Sequence, residues 1–265
     1  MRIELDSHDA VGIRADNPGP LTLEGTNTWV VGSGEVWVVD PGPDLADHID
    51  AVAAEVQSRG SLAGVALTHS HGDHSDAVGG LLEQLGNVPV VAMHADHRSG
   101  VGADEFFGGA AHGPLEILEL PGHSSDHVAF LYRDIAFTGD ALFANSSVFV
   151  SPGAGSLAGY LSGLQELANR SPVLLAPGHG PLIDDPSERL ASQIAHRLDR
   201  ERRLIEAIAS GLREQEELLD VVWSEVPEQL RLAAAVTLYA HLGKLSEDGL
   251  LPADIKVPEI PEWVV

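Results

Sequence analysis

Seven residues constrain this chain more than any others: Thr68-His69-Ser70-His71-Gly72-Asp73-His74. They place four metal-binding side chains within six residues, between a short strand read at Val65–Thr68 and a helix read at Ala77–Leu85. His69 and His71 are two apart, so in an extended segment they point the same way. Asp73 and His74 follow where the chain turns into the helix, aimed at a second point nearby. Imidazole and carboxylate together suit zinc, and imidazole also suits iron. The bland alternative is a run of polar residues in a surface turn.

Three further residues stand at the ends of apolar strands. They are His123 in Pro121-Gly122-His123, Asp140 in Phe137-Thr138-Gly139-Asp140, and His179 in Pro177-Gly178-His179-Gly180. Each taken alone is a turn residue more often than a ligand. Following the first motif in this order, with a glycine that lets the backbone approach a crowded centre, they read as parts of one site. The chain has no cysteine, which excludes disulfides, Cys-ligated zinc, iron–sulfur clusters and a Cys nucleophile. Around these candidates, Asp40 ends a strand and reads as a carboxylate orienting a ligand imidazole or as a turn residue before Pro41-Gly42. Thr68 either hydrogen-bonds within the site or ends its strand, and His127 reads as structural. The cluster His94-Ala95-Asp96-His97 lacks Gly-His partners of its own and reads as a loop or helix start. Ala141–Gly155 and Phe106-Phe107-Gly108-Gly109 read as groove-lining loops or ordinary connections.

At 265 residues and 44% apolar composition the chain can build a full core. Strands are expected at Asn27–Val31 and Glu35–Asp40 (a hairpin), Val65–Thr68, Val88–Met93, Leu115–Leu120, Val128–Tyr132, Ile135–Thr138 and Val173–Ala176. Helices are expected at Leu45–Ser58, Ala77–Leu85 and Leu157–Ala168. Alternation of helices with hairpins predicts two mixed sheets with helices outside. After Asp184-Asp185-Pro186 the pattern becomes helical, at about Glu188–Ser210, Glu214–Val226 and Glu228–Ser246, with a hairpin-like end suggesting a winged helix. We therefore place a catalytic domain at residues 1–185 and a winged-helix-like domain at 186–265.

The motif series His-x-His-x-Asp-His, Gly-His, Gly-Asp, Gly-His resembles the metallo-β-lactamase superfamily. Gly25-Thr26-Asn27-Thr28-Trp29, Val38-Val39-Asp40-Pro41-Gly42, Ser124-Ser125-Asp126-His127, Ser147-Val148-Phe149 and the winged-helix-like end resemble its beta-lactamase-like protein 2 group. The resemblance implies an αββα sandwich with His69, His71 and His123 on one metal, Asp73, His74 and His179 on another, and Asp140 bridging them. It implies two zinc ions, with iron or manganese as variants, and a bridging hydroxide as nucleophile that Asp73 also orients. Glu replaces His71 in the flavo-diiron relatives, which argues against that branch.

The formal charge is −25. Residues 1–185 hold 6 basic and 25 acidic residues, and residues 186–265 hold 9 and 15. This disfavours long polyanions and fits a small or carrier-tethered acyl substrate. The expected activity is hydrolysis of an ester or thioester. Single-strand-specific endoribonuclease activity, known in the resembling group, ranks second, and an iron-dependent sulfur dioxygenase third. Arg197, Arg200, Arg202 and Arg203 could steer a phosphate chain, but read more readily as a solvated helix with Asp199, Glu201 and Glu206 as partners. The winged helix is expected to pack across the groove or to mediate a homodimer. Met1-Arg2-Ile3-Glu4-Leu5-Asp6 lacks a signal-peptide core, and the uncharged run Ala141–Gln165 is too rich in Gly, Pro and Asn for a span, so a cytoplasmic protein without membrane association is expected.

Overall fold

A computed structural model describes residues 1–5, 8–93, 104–105, 111–153 and 156–258. His94–His97 and Phe106–Gly109 lie outside the described residues. The chain divides into two compact units: residues 1–119, 126–146 and 170–186, and residues 120–125, 147–169 and 187–265.

The first unit contains β1 (Arg2–Leu5), β2 (Ala10–Arg14), β3 (Asn27–Val31), β4 (Gly34–Val39), α1 (Ala46–Arg59), β5 (Gly60–Ala66), α2 (Gly72–Ser75), α3 (Val78–Leu85), β6 (Val90–Ala92), β7 (Asp104–Glu105), β8 (Ala111–His112), β9 (Leu115–Glu119), β10 (Val128–Tyr132), β11 (Ile135–Gly139) and, after the excursion into the second unit, β12 (Leu174–Pro177). A seven-stranded sheet runs β1-β2-β3-β4-β5-β6-β7, and a five-stranded sheet runs β12-β11-β10-β9-β8. Both are mixed, as expected. β1 to β4 pair antiparallel, while β4, β5, β6 and β7 run parallel. In the second sheet only β11 and β12 are parallel.

The strand period of two explains the layering. Trp29, Val31, Trp37 and Val39 face one core, together with Ile117, Phe130, Ile135 and Phe137 of the other sheet. Val30, Val36 and Val38 face the opposite way, onto Val52 and Val56 of α1 and Val78 and Leu81 of α3. The register Trp29↔Val39, Val30↔Val38, Val31↔Trp37 keeps each set on its side. Sequence reading missed β1, β2, β7 and β8. β2 is interrupted by Gly12, which weakens the pattern but leaves room for the Trp29 ring, since a Cβ there would lie 2.5 Å from it.

The second unit contains α4 (Ser156–Asn169), α5 (Pro186–Ala209), α6 (Gln215–Val222), a 3₁₀ turn (Glu228–Leu230) and α7 (Arg231–Glu247). Leu204 and Ile208 of α5, Leu218 and Val222 of α6, and Leu238, Leu242 and Leu245 of α7 form its core. α6 stops four residues before the expected end. Trp223 leaves helical geometry so that its ring is buried in this core, against His241. Within residues 248–258 a turn at Asp248-Gly249 leads into an irregular segment, and the rest of the expected hairpin-like end, residues 259–265, lies outside the described residues. The solvated reading of α5 is also corrected. Arg197 and Arg200 are 2% and 4% exposed, because their three-residue spacing puts them on the inward face. Only Arg202 behaves as expected, pairing with Asp199 and Glu206, while Glu201 pairs with Lys244 of α7. Among the described residues no helix is long and apolar enough to cross a membrane.

Candidate metal centre

Parallel pairing brings strand ends together. β4 and β5 end at one edge of the first sheet, and β11 and β12 at one edge of the second. Asp40 follows β4, Thr68 and His69 follow β5, Asp140 follows β11, and His179 follows β12. Asn27 at the start of β3 ties the edges: its backbone N–H donates to the Gly178 carbonyl (2.7 Å), and its Nδ2 donates to the Pro177 and Gly180 carbonyls (3.0 Å each).

Six of the expected site residues converge within the first unit. One potential ligand atom each of His69, His71 and Asp140 lie within 4.8 Å of one another, and the same holds for Asp73, His74 and His179. Asp140 Oδ1 stands between the sets, 3.3 Å from both His74 Nε2 and His179 Nε2. Asp73 Oδ2 is 3.3 Å from His179 Nε2 and 3.6 Å from His74 Nε2. His71 caps α2 in extended geometry and Asp73 and His74 lie within that single turn, so the chain reversal separates the two pairs of the motif as the spacing predicts. The seventh, His123, lies on the loop between β9 and β10 that belongs to the second unit, where its ring is 4.7 Å from that of Phe149.

Two glycines are required by contact. A Cβ on Gly139 (φ +45°) would lie 2.4 Å from Thr68 Oγ1, and one on Gly178 would lie 2.6 Å from Asp140 Oδ1 and His74 Cε1.

Asp40 takes the orienting role. Its carboxylate accepts hydrogen bonds from the Thr68 N–H (2.7 Å), the Thr68 hydroxyl (2.7 Å) and His74 Nδ1 (2.9 Å). Because a carboxylate only accepts, the His74 Nδ1 carries a proton, which leaves Nε2 as the nitrogen that faces the site. The Thr68 hydroxyl, having donated to Asp40, accepts from His69 Nδ1 at 3.0 Å, so His69 likewise presents Nε2. One buried carboxylate thus sets two tautomers.

Sequence reasoning read one support, His127, as structural and missed two others, Thr26 and Asn17. His127 Nε2 accepts the backbone N–H of Asp140 at 3.0 Å; burial takes its pKa to about 4, so it stays neutral and able to accept. Thr26 donates its hydroxyl to Asp73 Oδ2 (3.1 Å) and receives a hydrogen bond from Asn17 Nδ2 (3.0 Å). The available signal for Thr26 was its place in Gly25-Thr26-Asn27-Thr28; Asn17 offered none.

The electrostatics fit a cation. Burial opposes ionisation of Asp73, but the His179 hydrogen bond and the His74 charge outweigh it and take its pKa to about 2. Burial likewise opposes the Asp140 charge, and the charges of His179 and His74 overcome it to hold the carboxyl well below its usual range. In turn His74 is pushed well above the ordinary imidazole range and His179 to about 9, with Asp140 the leading charge acting against the burial of each. Buried imidazoles that gather protons mark a surplus of negative charge, which divalent ions on the same lone pairs would neutralise. His74 Nε2, fully buried, also lacks a well-aligned hydrogen-bond partner. Donor set, burial and charge all fit metal ligation.

Comparison with known proteins agrees. The pattern described as the metallo-beta-lactamase superfamily matches residues 21–114 and 101–179, and the beta-lactamase associated winged helix domain matches 215–252. The chain is 32% identical to a beta-lactamase-like protein 2 homolog of Caenorhabditis elegans, over 94% of this chain and 88% of that one. It is 29% identical to an atrochrysone carboxyl ACP thioesterase of a Cryptosporiopsis species, over 78% of this chain and 65% of that one. A crystal structure of a beta-lactamase domain protein from Burkholderia ambifaria superposes with a TM-score of 0.78 at 20% identity, covering 94% of this chain and 88% of that one, and so shares the fold. The chain therefore belongs to the metallo-β-lactamase superfamily, a metal-dependent hydrolase on the αββα sandwich that carries a C-terminal winged helix domain.

Proposed function

We propose that this protein is a dinuclear metal hydrolase, zinc being the favoured ion, that cleaves an ester or thioester of a small or carrier-tethered acyl group. The observation carrying this reading is the pair of three-residue donor sets with Asp140 Oδ1 equidistant, at 3.3 Å, from His74 and His179. In it, His69, His71 and His123 would hold one ion, Asp73, His74 and His179 the other, with Asp140 available to both. The ions supply Lewis acidity and water acidified to near pH 7. The chain's own residues do the rest. Asp40, through Thr68 and His74, keeps two imidazoles in the ligating tautomer. Asp73, held ionised and steadied by Thr26, orients the attacking water toward the acyl carbon.

The named activity of the thioesterase relative supports an acyl substrate. The burial of Arg197 and Arg200 and the pairing of Arg202 remove much of the cationic stripe that an RNA reading would use. The test is zinc-loaded protein assayed on acyl thioesters, lactones and single-stranded RNA, with oxygen uptake monitored on a persulfide. Thioester or ester turnover abolished by chelation and by Asp73→Ala is the expected result. RNA cleavage lost on Asp73→Ala with inert thioesters, or oxygen consumption, would replace this reading.

A further inference from the structure

The buried arginine Arg197 has a task within the second unit. Its guanidinium lies over the Tyr160 ring, 5.5 Å from the centroid, and Nη2 donates to the Val148 carbonyl. One turn earlier on α5, Gln193, 2% exposed, donates Nε2 to the Tyr160 hydroxyl at 3.1 Å. Val148 is followed by Phe149, whose ring packs on that of His123 at 4.7 Å. The loop bearing His123 is seated on the same residues. The Ser151 N–H donates to the Gly122 carbonyl at 2.6 Å, and Gly122 presses on Tyr160 so closely that a Cβ would lie 2.6 Å from Tyr160 Cβ. Burying a guanidinium is costly. Here the buried charge fixes one backbone carbonyl and one aromatic ring, both of which lead to His123.

We infer that Arg197 and Gln193, acting through Tyr160 and the segment Val148-Phe149, are positioning residues for the His123 imidazole, so that helix α5 of the C-terminal region sets how this side chain is presented to a metal. The inference rests on the proposed ligand role of His123. Its prediction is that a substitution on α5, at Arg197, loosens one metal ion selectively.

The experiment loads the full-length protein with Co²⁺ and follows bound metal per chain and the visible absorption bands against graded chelator. His123→Ala should lose one ion. Arg197→Met and Phe149→Ala should weaken retention of one ion by about 10–100-fold and shift its absorption bands. Arg197→Lys, which keeps a donor for the Val148 carbonyl, should recover part of the loss. Arg200→Met is the structural control: this arginine is also buried on α5, but it donates to the Val222 carbonyl, lies over Trp223 at 5.3 Å and pairs with Glu225. It should lower the melting temperature and leave metal retention unchanged. Retention of both ions by His123→Ala would overturn the ligand reading itself. Loss of an ion from His123→Ala while Arg197→Met and Phe149→Ala hold both would overturn the positioning role, as would equal metal loss from Arg200→Met. Should Arg197→Met not fold, Gln193→Leu decides, since it removes the α5 donor to the Tyr160 hydroxyl: unchanged retention of both ions would overturn the role.

Discussion

Asp40→Asn removes one charge and almost no volume, and the backbone should accept it, since asparagine tolerates the left-handed φ of +50° at least as well as aspartate. The amide oxygen can still accept the Thr68 N–H. The amide nitrogen then replaces the oxygen that now accepts from Thr68 Oγ1 at 2.7 Å and His74 Nδ1 at 2.9 Å. A donor there faces the Nδ1–H of His74. Either a buried charge-assisted hydrogen bond worth about 1.5–3 kcal/mol is lost, or the His74 proton moves to Nε2, the atom that must ligate. Both routes act on metal affinity by a similar amount, about 10–100-fold. Chelator competition on the purified variant measures it directly, and nitrogen chemical shifts of the zinc-loaded protein report which nitrogen of His74 keeps its proton. A variant that keeps the Nδ1–H tautomer and binds both ions within about threefold of the parent would refute the claim that Asp40 sets the ligand.

Metal uptake should release protons. His179, with a pKa of about 9, and His74, raised further above its ordinary value, hold protons at pH 7.5 in the metal-free protein. Ligation needs the neutral ring, so affinity should rise with pH up to about 9, by roughly tenfold per unit for each proton displaced. Calorimetry in buffers of different ionisation enthalpy counts those protons, and a pH-independent affinity with no release would contradict the reading. Gly178→Ala should cost at least about tenfold in metal affinity, with a stability loss of about 1–3 kcal/mol, because its methyl meets Asp140 and His74 at 2.6 Å; metal analysis and thermal unfolding check both. His241, fully buried beside Trp223 with neither ring nitrogen hydrogen-bonded, is lowered to about 3 by burial and then by Arg197. Between pH 6.5 and 3 the unfolded chain therefore binds a proton that the folded chain does not, so stability falls on acidification, by about 2 kcal/mol at pH 5 from this group. Urea unfolding at pH 7 and pH 5 should show that difference shrinking by about that amount in His241→Phe.

Much of the candidate site was legible because most of its residues follow strand ends. A short apolar run followed by Gly-His or Gly-Asp marks both the strand and the place where it stops, and parallel pairing of β4 with β5 and β11 with β12 fixes which ends meet. Asp40 was legible in part, since a strand-ending carboxylate has two readings and only the Thr68 and His74 contacts choose between them. Thr26 and Asn17 were not, because their role depends on a loop geometry that brings residue 17 to residue 26 and residue 26 to residue 73. His127 was read as structural, and its structural bond is the one that aims the Asp140 backbone.

The harder failure is α5, and it has one cause. Helical spacing puts Gln193, Arg197, Arg200 and Leu204 on one face, but periodicity reads charge as a sign of solvent. An arginine with an aromatic ring beneath it and a carbonyl at its tip breaks that rule, since its stem and planar head are apolar enough to bury once the N–H groups are met. Arg197 finds Tyr160 and Val148, and Arg200 finds Trp223 and Val222. Each has a large ring and a backbone carbonyl far away in sequence, and Arg200 also the Glu225 carboxylate, so nothing local announces them. The same feature that hid these residues gives them leverage. Two buried arginines of one helix reach different segments: Arg200 reaches Val222, Trp223 and Glu225, and Arg197 reaches Val148, next to the Phe149 that touches His123. If buried charge on α5 served stability alone, neutralising either would have the same effect on metal retention. The proposed positioning role predicts a difference between them.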